Sequence, residues 1–140
     1  MTYRRLLLPM LIAAGLALPL AAQAATVKLG ATLNGTSETP PGDPDGTGTF
    51  VVEIDPDAGD FCFTVTSAKI GTPTMAHVHS GAAGTSGPPV VTIDPTGNDE
   101  CIAAEPDVLR PIVAAPENYY VNIHNAEYPG GAIRGQLAKQ

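Results

Sequence analysis

Thr47-Gly48-Thr49-Phe50-Val51-Val52-Glu53-Ile54-Asp55-Pro56-Asp57-Ala58-Gly59-Asp60-Phe61-Cys62-Phe63-Thr64-Val65 reads as two strands around a turn. Side chains alternate between faces along a strand, so Phe50, Val52 and Ile54 share one face. Past the turn, Phe61, Phe63 and Val65 point inward and Cys62 points the other way. Residues 55–60 are dominated by Asp, Pro and Gly, which favour reversal of the chain. The pattern predicts an antiparallel hairpin.

Working outward, residues 26–34 alternate as cleanly, with Val27, Leu29, Ala31 and Leu33 against Lys28, Gly30, Thr32 and Asn34. Residues 38–46 have neither periodicity nor apolar content and read as a surface loop. Residues 75–79 and 89–93 can each form a short strand. Between residues 105 and 115 the spacing of Val108, Leu109, Ile112 and Val113 is helical, Pro106 suits a first helical position, and Pro111 limits the length. Residues 119–124 and 132–137 form a late strand pair across a wide turn. Short strands separated by turns predict an all-β fold, an antiparallel Greek-key-like sandwich or small barrel, with one short helix near 106–115.

The chain has 140 residues and a net charge of −7. Residues 1–24 read as an export signal: Arg4 and Arg5, an apolar stretch over 6–20, then the small residues around Ala22-Gln23-Ala24. Residues 25–140 are then the single mature domain. Cleavage would leave 5 Lys+Arg against 14 Asp+Glu, a net of −9, which gives no basic footprint for a nucleic acid. The 6–20 stretch is too short and interrupted to span a bilayer, so no membrane span is expected after cleavage. The mature part has 14 Gly and 12 Pro in 116 residues, which argues against a helical bundle. Cys62 and Cys101, an even pair in an exported chain, are expected to bridge, which closes a loop worth roughly 3 to 4 kcal/mol. The expected location is extracytoplasmic, either periplasmic or secreted.

All three histidines fall in or beside predicted strands. His77 and His79 are two apart, so they project from one face while Val78 points into the core. On the later strand Val121 and Ile123 point inward, and Tyr120, Asn122 and His124 outward. If the two strands are neighbours, His124 completes a three-imidazole face. Imidazole suits copper and zinc rather than calcium or magnesium, and rings converging within about 4 Å would fit one ion. The plainer alternative is that such histidines merely satisfy nearby carbonyls. Tyr120 or Asn122 can orient an imidazole by hydrogen bonding. Arg134 pairs by default with an acid such as Glu127, or else assists a bound anion.

Other motifs point to structure rather than chemistry. The glycines of residues 81–89 are followed by no helix and no Lys-Ser/Thr pair, so they form a loop and not a phosphate cradle. Asp55, Asp57 and Asp60 miss the spacing of a calcium loop and suit a turn. Asn34-Gly35-Thr36 matches a glycosylation acceptor. Ser80 beside His79 points to the opposite face, which excludes a Ser-His pair on a regular strand.

The ordered segments Met75-Ala76-His77-Val78-His79-Ser80-Gly81, Gly87-Pro88-Pro89-Val90-Val91, Tyr119-Tyr120-Val121-Asn122-Ile123-His124 and Pro129-Gly130-Gly131-Ala132-Ile133-Arg134-Gly135-Gln136-Leu137 together resemble the chordin-type CHRD domain. The resemblance implies an extracytoplasmic all-β domain spanning residues 25–140. His77-Val78-His79 is also similar to the copper-binding triplet of copper/zinc superoxide dismutase. Three histidines are too few for that enzyme's paired metals, so a dismutase is not expected. The sequence therefore points to a non-catalytic ligand-binding module with a copper or zinc site at His77, His79 and His124. The alternative is a metal-free extracellular module that binds an unidentified protein.

Overall fold

The computed structural model describes residues 25–140, so the expected export signal over residues 1–24 lies outside the described residues. Nine strands and one helix follow in the order β1 (Val27–Asn34), β2 (Thr47–Asp55), β3 (Asp60–Ala68), β4 (Pro73–Ser80), β5 (Pro89–Ile93), β6 (Glu100–Ala103), α1 (Pro106–Ala114), β7 (Tyr119–Asn125), β8 (Ile133–Gln136) and β9 (Ala138–Lys139). The expected strands and the helix are all present. The short strands β6 and β9 are additional to the expected ones. Neither has the alternation or length that marks a strand in sequence, and each is held by pairing with β3 or β1.

All pairings are antiparallel, and the sheet runs β5-β4-β7-β8-β1-β2-β3-β6. It curls into a half-barrel. Its outer strands β5 and β6 do not pair and flank a groove of about 450 Å³ lined in part by Val90, Val91, Ile102 and Val108.

The core follows from strand parity. Phe50, Val52 and Ile54 of β2 meet Phe61, Phe63 and Val65 of β3 across the concave face, all buried. The three phenylalanine rings pack with centroids 5.9 to 6.4 Å apart. Leu109 and Ile112 of α1, one helical turn apart, add to the same cluster. The helix continues past Pro111 for one further turn, and Ala115 N–H bonds the Pro111 carbonyl at its end.

Cys62 and Cys101 are directly opposed on β3 and β6 and form a disulfide. In the β2–β3 turn the Asp55 carboxylate accepts from the backbone N–H groups of Asp57 and Ala58, which explains the acidic cluster there as turn chemistry. Asn34 caps the helical turn Gly35–Ser37 by accepting from Ser37 N–H. No helix among the described residues is long and apolar enough to cross a membrane.

Candidate metal centre

Strands β4 and β7 are neighbours, with His77 opposite Asn122, His79 opposite Tyr120, and Met75 opposite His124. Ala76 and Val78 point into the core, as do Val121 and Ile123. The other parity of β4 carries Met75, His77 and His79, and that of β7 carries Tyr120, Asn122 and His124. One departure from the sequence reading is that the β7 set is buried as well. Two loops lie over the convex face there, residues 81–88 and residues 35–46. Glu38 and Asp43, which composition placed on a surface loop, are themselves buried under this cover.

The three histidines are brought together. Their potential ligand atoms all lie within 4.8 Å of one another. This is looser than the expected 4 Å, and the closest approach is 3.2 Å between His77 Nδ1 and His124 Nε2. Hydrogen bonds assign the tautomers. His79 Nδ1 lies 2.8 Å from the Gly87 carbonyl, and His124 Nδ1 lies 2.9 Å from the Pro129 carbonyl. A carbonyl only accepts, so both Nδ1 atoms carry the proton and both Nε2 atoms present a lone pair. His77 Nδ1–H then donates to His124 Nε2. Of the lone pairs left on His77 Nε2 and His79 Nε2, the one on His79 is buried and has no partner.

Burial pushes the His77 and His124 pKa values below the ordinary imidazole value. Repulsion from His124 and His79 lowers His77 further, while at His124 the Pro129 carbonyl partly opposes the shift and His79 adds to it. Neutral imidazoles are the form that binds a metal. The cluster can hold a metal ion, and the carbonyls behind His79 and His124 are the outer support such a site uses.

The neighbouring residues take roles different from those read in the sequence. Tyr120 orients His79 by stacking rather than by a hydrogen bond: the rings lie 4.8 Å apart and nearly parallel. Arg134 sits 3.3 Å from the centroid of the Tyr120 ring, giving a column of imidazole, phenol and guanidinium. Arg134 is not paired with Glu127. It is buried, and its two terminal nitrogens donate to the Thr85 and Ala82 carbonyls at 2.7 and 3.1 Å, which pins the 81–88 loop. Asn122 makes no hydrogen bond to an imidazole nitrogen and is paired instead with the Glu38 carboxyl. Burial raises the Glu38 pKa while Arg134 and Asn122 lower it, and one carboxyl oxygen has no partner. Glu38 escaped the sequence reading because the Pro- and Gly-rich run around it carries no periodic signal.

A family model described as CHRD domain matches residues 29–137. No curated protein and no solved structure matches the chain.

Proposed function

The chain belongs to the CHRD domain family, and from that premise we propose that it is an exported, non-catalytic binding module whose His77, His79 and His124 hold one copper or zinc ion. Residues 1–24 act as the export signal and residues 25–140 form the mature domain. The family and the Cys62–Cys101 disulfide fit an extracytoplasmic location.

One observation carries the metal reading. His79 Nε2 is a buried lone pair without a hydrogen-bond partner, and a ring nitrogen of His79 lies within 4.8 Å of ring nitrogens on two other imidazoles. A buried polar atom left unpaired costs free energy, and a metal bond removes that cost. The donor set is all nitrogen, which suits copper and zinc and disfavours the oxygen-seeking ions. An ion at the His77–His124 contact would replace the proton held there, the His77 ring then carrying its proton on Nε2.

Titration of the metal-stripped protein with Cu(II) and with Zn(II) tests this. The expected result is one-to-one binding that His79→Ala and His124→Ala each abolish, with unchanged circular dichroism. Failure of the wild-type protein to bind either ion refutes the metal reading and favours the metal-free interaction module.

A further inference from the structure

Met75 is the exposed large apolar side chain among the described residues, 49% accessible where every core side chain is below 10%. Its position ties it to the histidine cluster. It shares the outward parity of β4 with His77 and His79, and in the β4–β7 register it stands directly opposite His124. Opposed residues on antiparallel strands have their Cβ atoms about 5 Å apart and point to the same side. Three rotatable bonds let a methionine sulfur swing from there toward the His77–His124 contact.

The backbone just before Met75 is irregular. The β4–β7 register shifts between Pro73 and Met75, and Thr74, the residue in between, donates its hydroxyl to the His124 carbonyl at 3.3 Å. From Met75 to Ser80 the pairing with β7 keeps one register, so Met75 shares a face with His77 and stands opposite His124.

We propose that the Met75 thioether is a fourth donor at the open side of this centre, and that it selects cuprous copper over zinc. The inference rests on the three-histidine reading and names the metal for it. A thioether is a soft donor that favours Cu(I), whereas zinc takes imidazole, carboxylate and thiolate. The three imidazoles by themselves serve either metal, so the sulfur is what discriminates.

The test uses Met75→Leu, which keeps the volume, removes the sulfur and changes an exposed position. Cu(I), supplied as its acetonitrile complex under argon, is partitioned between the protein and a chromophoric Cu(I) chelator, and Zn(II) affinity is measured in parallel. Met75→Leu is expected to weaken Cu(I) binding at least tenfold and to leave Zn(II) binding within twofold. X-ray absorption of the Cu(I) protein should show a sulfur neighbour that the variant lacks. Equal Cu(I) affinity in wild type and Met75→Leu, with binding still lost in His79→Ala, overturns the role of Met75 and leaves the three-histidine site standing. Absence of Cu(I) and Zn(II) binding in the wild type overturns both.

Discussion

Gly87→Ala should disturb the metal centre without touching an imidazole. A Cβ at position 87 would overlap the Ser80 backbone oxygen, well inside the 3.0 Å that real Cβ atoms keep from their neighbours. Both partners are backbone, so no side chain can swing aside, and the end of the 81–88 loop must move by about 1 Å or more. That segment carries the Gly87 carbonyl, which holds the His79 Nδ1 proton at 2.8 Å. Losing such an outer partner lowers metal affinity by about 10- to 100-fold, equivalent to about 1.4 to 2.7 kcal/mol. Two measurements separate cause from consequence. In the metal-free protein, imidazole 15N shifts should report the Nδ1–H tautomer for His79 in the wild type and a mixture in the variant. Titration with copper should then show the affinity loss, while the fold, whose core lies on the other face of the sheet, keeps its circular dichroism. A Gly87→Ala protein that retains both the single tautomer and wild-type affinity within twofold would falsify the claim that this carbonyl organises His79.

Further outcomes follow from the same structure. Arg134→Met removes two charge-assisted hydrogen bonds and the contact over Tyr120, so it should cost about 3 kcal/mol in urea unfolding, and a loss under about 1 kcal/mol would mean that the loop is held by something else. Reducing the disulfide, or replacing both cysteines with serine, should cost about 4 kcal/mol from the 39-residue separation. It should leave metal affinity unchanged, because neither β3 nor β6 pairs with β4 or β7. Acidification should destabilise the metal-free protein. His77 and His124 titrate below 6.5 when folded and near 6.5 when unfolded, so the unfolded chain binds more protons in between and stability falls as pH drops below about 6.5. A melting temperature that is flat from pH 7.5 to 5, or that declines equally in His77→Gln/His124→Gln, contradicts this account.

Much of the fold is legible in the sequence because strand parity is a local property. The β2–β3 hairpin needs only the alternation of Phe50, Val52 and Ile54, a turn rich in Asp and Gly, and the answering Phe61, Phe63 and Val65. The helix is legible from Pro106 and the spacing of Leu109 and Ile112. Strand β6 is not, because Glu100–Ala103 carries no alternation of its own and owes its state to β3 and the disulfide. The place of Arg134 is not legible in the sequence for a related reason. Parity correctly set it off the core face, but whether that face is open to water depends on loops whose course no periodicity reveals.

The sequence by itself determined that His77 and His79 share a face, that Val78 opposes them, and that His124 has the outward parity of its own strand, since two-residue periodicity is a property of any extended backbone. Only the tertiary structure decided that β4 lies beside β7, a pairing between residues nearly fifty positions apart, so that three imidazoles meet and Met75 stands opposite His124. It also decided the chemistry of the rings. Which nitrogen keeps a lone pair depends on where the carbonyls of Gly87 and Pro129 come to rest, and loop carbonyls are positioned by packing that spans the whole sheet.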